Sequence, residues 1–91
     1  MYNYEIKPNL QKILNKLSKK DKISYEHILK KIEEIINAYD IEHYKNLKYD
    51  LRAFKGVHIG HFVLVFSFDE SRNLISFVDF DHHDVIYKKK I

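Results

Sequence analysis

Apolar and polar positions along this chain follow two different periods, and the change falls near Asp40. Before it, Tyr2, Tyr4 and Ile6 alternate with Asn3 and Glu5, which predicts a short half-buried strand from Tyr2 to Ile6. Leu10, Ile13, Leu14 and Leu17 then share one helical face behind Pro8, a residue suited to a first helical turn. A helix is therefore expected over Asn9–Leu17. Ser18 to Lys22 carries no apolar side chain and reads as a tight link, with Asp21 or Ser24 able to cap the next helix. Tyr25, Ile28, Leu29, Ile32, Ile35, Ile36 and Tyr39 make one continuous stripe. It predicts a second helix over Ser24–Tyr39, packed on the first as an antiparallel hairpin.

After Asp40 the period becomes two. Asp40 to Asp50 is polar and aromatic, an irregular connection. Strands are expected at Arg52 to Ile59, His61 to Phe68 and Leu74 to Phe80, divided by Gly60 and the polar loop Asp69 to Asn73. Strands joined so closely form an antiparallel meander, whose apolar face needs the two helices as its cover. The predicted class is α+β, a single domain over residues 1–91. Its order is an N-terminal strand, an antiparallel helix hairpin and a three-stranded antiparallel meander. Together these make one four-stranded, largely antiparallel sheet with the helices on one face.

Composition supports a folded chain: 91 residues, 45% apolar and 14% aromatic, are enough for one core near the lower size limit. The absence of cysteine excludes disulfides and thiolate metal sites. The N-terminus lacks the apolar run of a signal peptide, and Phe62 to Phe66 is too short to span a bilayer, so a cytoplasmic protein without membrane contact is expected. The net charge of +3 is unevenly spread. Eight lysines from Lys7 to Lys31 face only Asp21 and Glu26, whereas five acids from Asp69 to Asp84 face only Arg72. A basic surface of this kind suits a polyanion or an acidic protein partner.

The candidate chemistry lies in the last third. Alternation places Arg52 and His58 on one side of their strand, opposite Ala53, Val57 and Ile59. On the next strand Phe62, Leu64, Phe66 and Phe68 read as core, leaving His61, Val63, Val65 and Ser67 outward. Arg52, His58 and His61 thus share the open face, and His82, His83 and Tyr87 follow the last strand closely enough to fold over it. Asp79, Asp81, His82, His83 and Asp84 include metal-ligand types, but adjacent His82 and His83 point apart in an extended segment and no ligand spacing appears. No metal and no cofactor is expected.

The element order together with Leu47-Lys48, His58-Ile59-Gly60-His61-Phe62 and His82-His83-Asp84-Val85-Ile86-Tyr87 resembles the RelE/ParE superfamily of toxin–antitoxin toxins over nearly the whole chain. These strings occupy the places of the family's Leu-Lys pair, its Arg-x-Gly turn and its His-Arg-x-x-x-Tyr ending. The resemblance implies a toxin neutralised by a cognate acidic, RelB-like antitoxin, in a heterotetramer. In the RelE-like branch it also implies cleavage of mRNA in the ribosomal A site. Where that branch carries arginine, this chain has His58, Val63 and His83, and Val63 retains no cationic group. Tyr87 is kept.

Metal-free RNA cleavage needs a base at the 2′-OH, an acid at the leaving 5′-oxygen and positive charge at the phosphate. The implied assignment is His58, His83 and Tyr87 as catalytic groups, with Arg52, Lys55, His61 and Lys48 binding RNA. Asp79, Asp81 or Asp84 on the same face would repel the substrate. Two other readings are a ParE-like toxin that inhibits a protein such as DNA gyrase without catalysis, and a degenerate toxin that only binds its antitoxin.

Overall fold

In the computed structural model, which describes residues 1–89, the chain runs β1 (Asn3–Ile6), α1 (Pro8–Lys20), α2 (Lys22–Ile36), β2 (Lys55–Ile59), β3 (Phe62–Asp69), β4 (Leu74–His82) and a short α3 (His83–Ile86). Short 3-10 turns at Ile41–His43, Tyr49–Leu51 and Glu70–Arg72 fill the connections. Both helices lie on one face of a four-stranded sheet, as the apolar spacing predicts. Their link is shorter than Ser18 to Lys22, because Asp21 alone serves both ends. Its N–H donates to the Leu17 carbonyl, while its carboxylate accepts the Ser24 amide (3.1 Å) and hydroxyl (2.7 Å). The second helix stops before Tyr39. Asn37 donates its side-chain amide to the Glu33 carbonyl, which ends the last turn and leaves Tyr39 fully exposed.

The sheet order is β1-β4-β3-β2. β2 with β3 and β3 with β4 are antiparallel, but β1 runs parallel to β4, with Asn3 opposite Leu74 and Ile6 opposite Phe77. The sheet is therefore mixed, and the expected near-uniform antiparallel pairing is corrected on this point. A parallel neighbour needs a long crossover, and the helix hairpin followed by β2 and β3 supplies it. β1 is also an edge strand. Tyr2 and Ile6 pack on the core, while Tyr4 remains half-exposed.

The main core joins Leu10 and Leu14 of α1 and Ile28, Ile32, Ile35 and Ile36 of α2 to Leu64, Phe66, Ile75 and Phe77 of the sheet. The opposite sheet face is not open. Val63 and Val65, only 1% and 0% exposed, lie in a second cluster with Leu51 and Ile86, with Leu47, Phe54, Val78 and Tyr87 packed around them. A bulge in the β3–β4 register, where Val65 opposes Asp79 and Phe66 opposes Phe77, frees Val78 to join this side.

The same cluster explains why β2 starts at Lys55 and not at Arg52. In a strand, Leu51 and Phe54 would point to opposite faces, yet both pack on Val63 and Val65. The chain turns instead: the Arg52 amide donates to the Tyr49 carbonyl and the Phe54 amide to the Leu51 carbonyl (2.9 Å). No helix among the described residues is long and apolar enough to cross a membrane.

Candidate catalytic groove

His58 sits on β2 opposite Val63, exposed on the side of the second cluster. Gly60, at φ 63°, makes the tight turn into β3. The start of α3 is fastened to that turn, because the His83 amide donates to the His61 carbonyl (2.9 Å). His82 caps the helix by accepting the Asp84 amide at its Nδ1 (3.2 Å). These two bonds bring the four histidines into stacked pairs. His58 and His83 lie 5.4 Å apart at 27°, and His61 and His82 lie 6.3 Å apart at 22°. Tyr87 meets His83 edge-on at 5.5 Å.

Two shallow depressions share His58 and His83. One, of about 330 Å³, is completed by Gly60, His61, His82 and Asp84. The other, of about 420 Å³, is bounded by Lys45, Asn46, Lys48 and Tyr87 among others. They form one groove with the imidazole pair at its saddle. The Tyr87 hydroxyl accepts the Lys48 backbone amide (3.3 Å), tying α3 to the loop that forms the far wall.

The sequence-predicted residues divide sharply. His58, His61, His83, Tyr87 and Lys48 line the groove. Arg52 does not: it is exposed on the turn before β2 and is absent from the groove's lining, so its predicted place beside His58 on a strand is corrected. Lys55 is corrected as well. It lies on the helix side with Val57 and Ile59, only 7% exposed. Its ammonium donates to Asn46 Oδ1 (2.8 Å) and the Tyr44 carbonyl (3.0 Å), with Glu42 at 3.7 Å. A charge so buried must be held by local acceptors, and two of its three donors are already bonded on the helix side of the sheet.

Sequence reasoning missed Lys45, His43 and Tyr49. Lys45 and His43 line the second depression, and Tyr49 stands beside Tyr87 at 6.2 Å. Lysines interleaved with tyrosines in Tyr44-Lys45 and Lys48-Tyr49 were the available signal. Lys45 and Lys48 are exposed and form no ion pair among the described residues.

Of the three acids in question, only Asp84 faces the groove. Its carboxylate lies 3.5 Å from His83 Nδ1 and 3.8 Å from His82 Nδ1. Asp79 and Asp81 are both taken up by Lys89, at 3.0 Å and 2.7 Å. Asp79 is buried and also accepts from Asn9 Nδ2 (3.0 Å) and the Phe80 amide (2.8 Å). The Lys89 bond, against a partial burial effect, holds the Asp81 carboxyl below the usual range. No group of three or more histidines and carboxylates among the described residues is arranged to hold a metal ion.

The chain is 58% identical over 91 residues, and over 95% of the relative's length, to a Methanocaldococcus jannaschii protein named "Putative toxin RelE4". It is 46% identical to an uncharacterised Methanosarcina mazei protein, over that protein's whole length. Its fold matches the isolated E. coli RelE toxin (14% identity, 97% of this chain and 94% of that one, TM-score 0.63). It also matches a chain of the Mycobacterium tuberculosis toxin–antitoxin complex RelBE2 (18% identity, 90% and 98%, TM-score 0.60). No protein-family model matches the chain.

Proposed function

The chain belongs to the RelE toxin family, and on that premise we propose that it is the toxin of a toxin–antitoxin pair and acts as a metal-independent endoribonuclease on mRNA in the ribosomal A site. The observation that carries this reading is the stacked His58–His83 pair at the saddle of a groove walled by Lys45, Lys48 and Tyr87.

Imidazole is the side chain that commonly exchanges a proton between pH 5 and 8, and the cleavage needs one proton taken up and one given. His58 accepts the 2′-OH proton as the 2′-oxygen attacks phosphorus. The bond from phosphorus to the 5′-oxygen breaks, and His83 delivers a proton to that leaving oxygen. The products are a 2′,3′-cyclic phosphate and a free 5′-OH. Asp84, 3.5 Å from His83 Nδ1, balances the ring while it carries its second proton. Lys48 and Lys45 supply the positive charge that the family's arginines would bring, in place of Arg52 and Lys55. Tyr87, whose hydroxyl oxygen accepts the Lys48 amide, contributes its ring to the substrate.

The partner is an acidic antitoxin that folds on contact and neutralises the toxin in a heterotetramer. The exposed lysines Lys12, Lys16, Lys19, Lys20, Lys22 and Lys30 of the helix hairpin suit such a partner. Induced expression should arrest growth, with new 5′ ends mapping within translated mRNA. A His83→Ala, Tyr87→Ala double variant that folds and remains fully toxic would overturn the ribonuclease reading. Protein targets such as gyrase would then be tested.

A further inference from the structure

Tyr49 is a left-handed residue, with φ 60°, and its side chain is 79% exposed. A non-glycine residue held there costs on the order of 1–3 kcal/mol. The surrounding turn explains the conformation, since it swings Leu51 into the second cluster, but it does not explain the side chain. Glycine or asparagine serves a left-handed turn at lower cost. The tyrosine ring gains no burial in return. Its one aromatic neighbour among the described residues is Tyr87, 6.2 Å away and nearly perpendicular at 79°.

Of the two rings, Tyr87 is the anchored one, and Tyr49 stands free beside it. Tyr87 is anchored through its hydroxyl to the amide of Lys48, the residue before Tyr49, and packs its ring on the second cluster. The result is an aromatic corner at the mouth of the groove, with Lys45 and Lys48 beside it and His83 edge-on to Tyr87. Asp50 is the acid next to Tyr49 in the chain, and it is exposed.

We propose that Tyr49 and Tyr87 form a subsite that receives one unstacked nucleobase of the RNA strand, with Lys45 and Lys48 tracking its phosphates. Single-stranded RNA is recognised mainly by stacking splayed bases on aromatic rings, and two perpendicular rings offer a base one face and one edge. Such a base would sit beside the imidazole pair, so the subsite sets which phosphate is presented to His58 and His83. The inference rests on the ribonuclease reading and adds Tyr49 to it as a substrate-binding residue.

The test uses the full chain and a short single-stranded RNA, 2′-O-methylated throughout so that it cannot be cleaved. Tyr49→Asn should melt at or above the wild-type temperature, because asparagine tolerates the left-handed turn, yet bind the RNA roughly 5- to 100-fold more weakly. Tyr49→Phe should bind within about twofold of wild type, since the ring remains. An abasic position scanned along the RNA should weaken wild type at one site, and leave Tyr49→Asn unaffected at that site. Equal binding by wild type and Tyr49→Asn overturns the subsite while leaving the ribonuclease reading intact. Failure of the wild-type chain to bind this RNA at low salt also overturns the subsite, whereas the ribonuclease reading is tested separately by cleavage mapping on ribosomes.

Discussion

Leu47 lies over Gly56 so closely that a Cβ built on the glycine would come within 2.6 Å of Leu47 Cδ2, and 2.9 Å of Val63 Cγ1. The glycine is what lets the loop before β2 press onto the sheet and form the groove's far wall. Gly56→Ala should therefore destabilise the fold by about 1–3 kcal/mol through overpacking. Denaturant unfolding measures the loss. Crosslinking or exchange data should show loosening concentrated in residues 45–54, and an unchanged midpoint would contradict the packing.

Val63 stands where the RelE-like branch carries arginine, but it is 1% exposed inside the second cluster. Restoring the family residue should not restore a catalytic cation. Val63→Arg is expected to lower stability by roughly 2–4 kcal/mol, because a guanidinium has no acceptor among Leu51, Val65 and Ile86, and Asp81 opposite it is already bound to Lys89. A stable Val63→Arg variant with faster RNA cleavage would show that the cluster is not the reason for the departure.

Single replacements His58→Ala and His83→Ala should each slow RNA cleavage by roughly two to four orders of magnitude. Both rings are exposed, so melting temperatures should stay within a few degrees of wild type. Cleavage mapping on programmed ribosomes reads the rate. Wild-type activity in either folded variant would remove that ring from the mechanism.

Tyr87→Phe tests the hydroxyl separately from the ring. It removes the acceptor of the Lys48 amide, a cost of about 0.5–1.5 kcal/mol in stability. Activity should fall by less than about tenfold if the ring serves only as a surface for a base. A loss as large as that of His83→Ala would instead give the hydroxyl a proton-transfer role.

Lys89 ties the segment after α3 to β4 through Asp79 and Asp81, and its effect on stability should be confined to a pH window. The Lys89 bond keeps the Asp81 carboxyl below its ordinary value of 3.8, so that contribution is present above this pH and is lost as pH falls through the lowered folded value. Burial pulls Lys89 down, but its bonds to Asp81 and Asp79 outweigh this and raise it above 10.5. That contribution is present below 10.5 and is lost as pH climbs through the raised folded value. Lys89→Met should cost about 1–3 kcal/mol near neutrality, since it strips the buried Asp79 of its cation. In thermal melts across pH, the gap from wild type should narrow at both extremes. A gap independent of pH would assign the loss to packing alone.

The helix hairpin was legible because Leu10, Leu14, Ile28, Ile32 and Ile36 repeat at helical spacing, and all five are buried. The β2–β3–β4 meander was legible from period two and its turn residues. Pairing direction was not, since alternation in Tyr2, Tyr4 and Ile6 is the same for parallel and antiparallel neighbours. Alternation also failed between Leu51 and Phe54, where a turn was needed to bring both onto one cluster. That failure misplaced Arg52. His58 was readable from its strand, and His83 and Tyr87 from the family-like ending. Lys45 and Tyr49 lie in a stretch with no period, where only tertiary contacts decide which side chains meet the groove.

β4 is the last strand in the chain, yet it lies between β1 and β3 in the sheet. β1 has no sheet neighbour until residues 74–77 exist, and Ile75 and Phe77 complete the core beneath the helices. His83 and Tyr87 come later still. Contacts spanning so much of the chain form late, and a nascent chain emerging from the N-terminal side cannot assemble them early. During its own translation the polypeptide therefore has neither its full four-stranded sheet nor its groove until the stretch from Leu74 to Tyr87 has been added.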